Sequence, residues 1–142
     1  MHTRNTIITL LRVSMSFIFL WAFLDKTFGL GFATLTKNAW INGGSPTAGF
    51  LTHAVKGPFA DTFHMLIGLP WVDWVFMMGL LFIGLTLLLN RYIKWGCLAG
   101  TIMLLSMYLA LLFPENNPIF DEHIIYILVL ALIGVHSTHH HG

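Results

Sequence analysis

Charged residues are scarce in this 142-residue chain. Only 9% of the residues are Asp, Glu, Lys or Arg, against roughly 25% in a soluble globular domain. By contrast, 56% are hydrophobic and the mean hydropathy is +0.77. This composition predicts that lipid surrounds most of the chain. The formal net charge of +1 provides no basic field for nucleic acid, so a nucleic-acid-binding function is excluded.

Cysteine is almost absent, and Cys97 is the single one. An intramolecular disulfide, a C-x-x-C redox or zinc motif and covalent haem attachment are therefore excluded. No Gly-rich dinucleotide fingerprint or P-loop is present. His123 and His136 have a spacing that suits two stacked haems, but the other predicted helices contain no histidine to face them. Neither haem nor a metal is predicted.

Four apolar stretches are long enough to cross about 30 Å of hydrocarbon, which takes about 20 helical residues. They cover approximately residues 6–24, 71–89, 95–113 and 118–136. The first is longer than a signal peptide's apolar region and lacks a clear cleavage site, so it is predicted to be retained. Between the first two, residues 27–70 alternate short apolar pieces with Gly and Pro breaks. The sequence predicts one all-α integral membrane domain: a four-transmembrane-helix bundle with a capping region of short helices in its long first loop.

The basic residues predict the orientation of the chain in the cell membrane. Arg4, Arg91 and Lys94 flank the predicted helices on one side, whereas the connection between the third and fourth helices carries no basic residue. Both termini are therefore predicted to be cytoplasmic and the long first loop to be outside. All six acidic residues then fall on the outer side: Asp25, Asp61, Asp73, Glu115, Asp121 and Glu122.

The predicted fourth helix opens with three ionisable residues. Asp121, Glu122 and His123 follow one another around the helix, so they cannot all face lipid, and ionisable residues at this depth indicate function. His123 beside Asp121 is a candidate proton acceptor near neutral pH. The alternative is that the carboxylates cap the helix and form a water-facing rim. Asn117 is predicted to cap the helix before Pro118.

A second charged pair interrupts the apolar sequence FLWAFLDKTFGLGF. Lys26 can extend toward water, whereas the short side chain of Asp25 needs a partner or water. Lys26 could hold an anion or could neutralise Asp25, and the sequence leaves both open. A shared site would require this pair to face His123 and Asp121 across a closed pocket. Arg12 is interpreted as an anchor that extends to the cytoplasmic edge.

Several blocks of the chain together resemble a known family. WAFLDKTFGLGFAT, AWINGGSPTAGF, GPFA, VDWVFMMGLLFIGLTLLL and NNPIFDEHIIYILVL occur in this order, within about residues 12–133. They resemble the DoxX/DoxD-like family of small four-helix membrane proteins, and within it the DoxD type, the membrane subunit of thiosulfate:quinone oxidoreductase. The resemblance implies oxidation of thiosulfate to tetrathionate, with electrons passed to a membrane quinone. It also implies a small partner subunit resembling DoxA.

On this resemblance, acid–base groups serve the quinone half of the reaction, and an apolar slot holds the quinone. The expected catalytic residues are Asp121, His123 and Asp25, and the expected substrate-binding residues are Lys26, Asn117, Trp21 and Tyr126. The alternative is a non-catalytic membrane scaffold or anchor for a partner protein or larger assembly, since no redox cofactor motif is visible. A channel or carrier is less attractive, although a homo-oligomer could build a pore.

Overall fold

The computed structural model describes residues 2–114 and 117–141, with side chains as far as Ser137. Glu115, one of the six acidic residues, lies outside the described residues. The described part is 75% helical and contains no strand. The α-helices are α1 His2–Phe28, α2 Ala60–His64, α3 Pro70–Leu89, α4 Ile93–Leu111 and α5 Glu122–His141. Between α1 and α2 lie two 3₁₀ turns, Thr36–Asn38 and Trp40–Asn42, and a π-helical turn, Phe50–Ala54.

Three helices, α1, α3 and α4, are long and apolar enough to cross a membrane. This confirms the predicted all-helical class and indicates a membrane protein. The apolar part of α5, from Glu122 to Ser137, is shorter. Trp71 and Trp74 are exposed in the first turns of α3, and Trp95 is exposed at the opposite end of the α3–α4 hairpin. Exposed tryptophans at both ends are typical of the two membrane interfaces.

The long helices pack in chain order around one core. α1 packs against α3, α3 against α4, and α4 against α5, which also contacts α1. Large side chains from α3 and α5 are fully buried between them, namely Met77, Ile83, Leu87, Leu130 and Ile133. A smaller cluster of Leu51, Val55 and Ala110 joins the segment between α1 and α2 to the end of α4.

Small residues let these helices approach closely. A Cβ atom at Gly84 of α3 would lie 2.5 Å from the side chain of Leu20 and 3.2 Å from its backbone nitrogen. Ser16 Oγ, on the same face of α1, donates a hydrogen bond of 2.9 Å to the Gly84 carbonyl oxygen. Gly96 is equally crowded by Thr86. Close packing at glycine and serine is typical of helices in lipid, where burial of apolar side chains gives little driving force for association.

α1 extends beyond its predicted range of 6–24 at both ends. It includes Asp25 and Lys26 and ends at Phe28, because the first residue suited to end it is Gly29. Gly29 has a left-handed backbone, with φ of 65°, and its N–H donates to the Asp25 carbonyl oxygen at 2.7 Å. The charged pair therefore belongs to the last turns of α1.

The ends of α4 and α5 also differ from the predicted ranges. α4 ends at Leu111 and not at residue 113. The last carbonyl groups of a helix have no N–H partner within the helix, and the Lys56 N–H supplies one by donating to the Ala110 carbonyl oxygen at 3.0 Å. α5 begins at Glu122, four residues after the predicted start. Asn117 therefore does not cap this helix, and that prediction was wrong. Its Oδ1 atom accepts the N–H of Ile119 at 2.9 Å and organises a turn upstream.

Candidate functional site

Asp25 is a buried acceptor for the turn that follows α1. Its side chain is 2% exposed. Oδ2 accepts the backbone N–H groups of Ala33 at 2.8 Å and Thr34 at 3.0 Å, and Oδ1 accepts that of Phe32 at 3.3 Å. Charge-assisted hydrogen bonds of this kind are among the stronger ones in proteins. The partner that Asp25 needs is therefore this turn.

Trp21 packs against the same turn. Its ring lies edge-on to Phe32, with centroids 4.9 Å apart, and stacks on Phe17 at 5.8 Å. Lys26 is half-buried and forms no salt bridge with any described residue. These residues, predicted to bind substrate, thus lie around the C-terminal end of α1.

Asp73 holds a second part of the connection between α1 and α3. Ser45 Oγ donates to its two carboxylate oxygens at 2.8 and 3.0 Å. Thr47 donates to Oδ1 through its hydroxyl at 2.6 Å and through its backbone N–H at 3.2 Å. The sequence places Asp73 in the first turn of a helix, where a carboxylate complements the helix dipole, but it does not reveal these partners.

Asp121 and His123 form a hydrogen-bonded pair at the start of α5. The Asp121 Oδ2 atom lies 2.9 Å from His123 Nδ1. Asp121 Oδ1 accepts the backbone N–H groups of His123 at 2.9 Å and Ile124 at 3.4 Å, so the same carboxylate caps the helix. His123 is 7% exposed. When Nδ1–H donates to the carboxylate, Nε2 is the basic nitrogen, and no described residue forms a hydrogen bond with it.

The start of α5 could bind a metal ion instead of a proton. One ligand atom from each of Asp121, Glu122 and His123 lies within 4.8 Å of the others. Glu122 is exposed, however, and the Asp121 carboxylate is already occupied by the helix cap and the imidazole. The arrangement is better suited to holding a proton than to holding a cation.

The residues predicted from the sequence form two separate groups. Among the described residues, no hydrogen bond or ion pair joins Asp25 or Lys26 to Asp121 or His123. Tyr126 is half-buried against the main core, on the same helix as the Asp121–His123 pair. Asn117 is exposed in the turn before α5. No hydrogen bond or ion pair among the described residues thus closes the expected pocket between the two charged pairs.

An apolar cavity of about 480 Å³ lies between α3, α4 and residues 46–66. None of its described lining residues is ionisable. Its two hydroxyl groups are already engaged, since Thr47 donates to Asp73 at 2.6 Å and Ser106 donates to the Ile102 carbonyl oxygen at 2.8 Å. The volume and apolar wall suit a small hydrophobic ligand. Much of the wall is aromatic or methionine: Phe50, Phe63, Trp71, Phe76, Met103 and Met107.

Comparisons of the chain with protein-family models, with curated proteins and with solved structures find no match. The family therefore remains a resemblance carried by the sequence blocks.

The packing of α4 on α5 relates the cavity to the Asp121–His123 pair. Gly100 of α4 packs against Leu130 of α5 in an antiparallel arrangement. Seven residues further along α4 is Met107, in the cavity wall, and seven residues back along α5 is His123. At about 1.5 Å per residue, both lie about 10 Å from the Gly100–Leu130 contact. The cavity wall and the Asp121–His123 pair therefore reach the same level on neighbouring helices.

None of the residues predicted from the sequence to bind substrate lines this cavity. Its wall comes from the AWINGGSPTAGF and PFADTF regions together with α3 and α4. Phe50, Phe63 and Met103 are ordinary apolar residues in an apolar sequence, so no local pattern distinguishes them. The one available signal was that residues 46–66 are too apolar for a solvent-exposed loop.

Proposed function

We propose that the chain is the membrane subunit of a quinone-linked oxidoreductase, and that the apolar cavity receives the quinone. The cavity of about 480 Å³ is the observation that carries this proposal. A quinone is a mostly apolar molecule delivered by the bilayer, and an apolar wall flanked by lipid-facing helices is the environment that retains it. The sequence resemblance supports the same class of ligand independently of the cavity.

Quinone reduction requires protons that the cavity wall cannot supply. Two thiosulfate ions each lose one electron as the S–S bond of tetrathionate forms, and the quinone takes up these two electrons and two protons to become a quinol. His123 is the proton carrier in this proposal, because its Nε2 atom is basic while Asp121 holds Nδ1. His123 on α5 and Met107 on α4 lie at the same height, so protons would pass from His123 toward the cavity near Met107.

The thiosulfate half of the reaction rests on the resemblance alone. No cofactor motif in the chain carries electrons between the two substrates, so a small partner subunit resembling DoxA supplies that step. Lys26, half-buried and without a salt-bridge partner among the described residues, remains a candidate for attracting the anion. The chain would then contribute quinone binding and proton delivery.

The proposal includes a particular arrangement in the cell membrane. α5 would be the fourth span, because its apolar part, Glu122–Ser137, rises about 24 Å and the helix packs against both α4 and α1. The segment between α1 and α3 would form the outer cap, anchored by Asp25 and Asp73. Both termini would lie in the cytoplasm, as the basic residues Arg4, Arg91 and Lys94 favour.

Filling the cavity tests the quinone site. We expect Ala99→Phe, in the cavity wall, to weaken binding of decylubiquinone about tenfold or more, measured by quenching of tryptophan fluorescence in detergent. Leu98→Phe is the matched control. It introduces the same ring at the neighbouring residue, which is half-exposed and does not line the cavity. Unchanged binding by Ala99→Phe would remove the cavity from the proposal.

The enzymatic claim needs a separate measurement. Native membranes that contain the partner subunit should reduce decylubiquinone when thiosulfate is added, and His123→Ala should slow this by about 10²-fold or more. Absence of thiosulfate-dependent reduction in those membranes, with quinone binding intact, would contradict the oxidoreductase and leave a quinone-binding protein.

A non-catalytic anchor is the second candidate. It is favoured by the roles of Asp25 and Asp73, whose carboxylates hold the connecting segment in place. If the chain is an anchor, the partner should copurify equally with the wild-type protein and with His123→Ala, and neither protein should reduce quinone. Loss of activity in His123→Ala with an intact complex would instead favour the enzyme.

A further inference from the structure

A second cavity, of about 330 Å³, lies at the opposite end of the helices from the Asp121–His123 pair. It is bounded by the first turns of α1, the α3–α4 connection and the last described turns of α5. Isoleucines form its apolar part. Polar side chains line the rest, from Asn5, Thr9, Arg12, Asn90, His136 and Ser137. The volume equals that of roughly ten water molecules at about 30 Å³ each.

Arg12 gives this cavity a positive charge that no described carboxylate in its wall balances. Its Nη1 atom donates to the carbonyl oxygens of Leu87 and Leu88, the second at 3.3 Å, at the end of α3. A guanidinium has five N–H donors in a fixed fork, and no described residue accepts from Nε or Nη2 of Arg12. No described carboxylate lines the cavity. An anionic oxygen from a ligand would satisfy both the charge and the remaining donors.

Asn5 adds a second requirement on the ligand. Its Oδ1 atom is buried and has no hydrogen-bond partner among the described residues. An unsatisfied buried acceptor is unfavourable, and each such group in a native protein calls for an explanation. A ligand donor, such as a hydroxyl or an ammonium group, would supply the missing partner. A single small molecule that carries both an anionic oxygen and a hydrogen-bond donor would satisfy Arg12 and Asn5 together.

We propose that this cavity binds a phosphate ester that also carries a hydrogen-bond donor, as the headgroups of phosphatidylglycerol and phosphatidylethanolamine do. The phosphate accepts from Arg12, and the glycerol hydroxyl or the ammonium donates to Asn5. Basic cavities between transmembrane helices are known binding places for phospholipid headgroups. Soluble glycerol phosphate offers the same chemistry, so the source of the phosphate has to be tested.

Native mass spectrometry with short-chain lipids tests the site in the full chain. Dioctanoyl phosphatidylglycerol and phosphatidylethanolamine should bind about tenfold more tightly than dioctanoyl phosphatidylcholine, whose headgroup has no donor. Equal affinity for all three lipids would contradict the proposed contact with Asn5. Glycerol phosphate competing at the affinity of the lipid itself would contradict a lipid as the source and identify a soluble phosphate ester.

Two variants locate the binding. Arg12→Gln should weaken all three lipids about tenfold, while Asn5→Leu should remove only the preference over phosphatidylcholine. Arg91→Gln is the matched control, since Arg91 is exposed and does not line the cavity. Asn5→Leu keeps the test decisive if Arg12→Gln unfolds, because no described hydrogen bond depends on the side chain of Asn5. Binding that is insensitive to Asn5→Leu and to Arg12→Gln would overturn the proposal.

Discussion

The Oδ2 atom of Asp25 lies 2.8 Å from the backbone nitrogen of Ala33, in the turn that follows α1. Asp73 makes an equivalent attachment to Thr47, with Oδ1 2.6 Å from the threonine hydroxyl. Each carboxylate is buried, and each fixes a stretch of the α1–α3 connection to a long helix. The two differ in their donors, and this difference has measurable consequences.

Asp25→Asn should destabilise the protein by about 1–3 kcal/mol. Among the described residues, all donors to Asp25 are backbone N–H groups, which cannot reverse their role, so an amide NH₂ in place of either oxygen would face a donor. The measurement is thermal or denaturant unfolding in detergent. Asp61→Asn, at an exposed position of α2, is the control and should change stability little. Equal stability of the two variants would contradict the role assigned to Asp25.

Asp73→Asn should cost less, below about 1 kcal/mol, because the hydroxyls of Ser45 and Thr47 can rotate to accept as well as donate. Asp73→Ala removes every acceptor and should cost about 1–3 kcal/mol. Since Thr47 also lines the apolar cavity, the alanine variant should weaken decylubiquinone binding as well. An alanine variant as stable as the asparagine variant would show that the hydroxyls do not need Asp73.

The sequence predicted the long helices well, because apolar runs of about 20 residues leave few alternatives. It failed at the start of α5, where Pro118 suggested a first helical position but Asp121 provides the cap. Asp121 and His123 were predicted to act together, because a histidine beside a carboxylate is a plausible proton acceptor near neutral pH. The partners of Asp25 were not predictable, because backbone N–H groups of a turn have no sequence signature. The cavity wall was not predictable either, because its residues come from four segments that lie far apart in the sequence.

Gly84→Ala should destabilise the packing of α1 on α3 by about 1–3 kcal/mol. The added methyl group would overlap the Leu20 side chain at 2.5 Å and come within 3.2 Å of its backbone nitrogen, which cannot move without shifting α1. Gly49→Ala is a matched control, because a Cβ there meets nothing within 4 Å and its φ of −61° suits alanine. Unfolding in detergent should therefore separate the two variants. A neutral Gly84→Ala would indicate that the helices can separate freely at this contact.

Substitutions of Asp121 separate its helix-capping role from its proposed part in proton delivery, because asparagine caps a helix about as well as aspartate does. Asp121→Ala should lower stability by about 0.5–2 kcal/mol, whereas Asp121→Asn should leave it nearly unchanged. The amide, however, carries no charge to stabilise a proton on the His123 imidazole, so under the proposed function the asparagine variant should lose proton delivery while keeping the fold. The readout is the pH profile of quinone reduction alongside the unfolding midpoint. Leu128→Ala, exposed on the same helix, is the control. An Asp121→Asn variant with wild-type stability and an unchanged pH profile would restrict Asp121 to capping and would remove the pair from the proposed proton path.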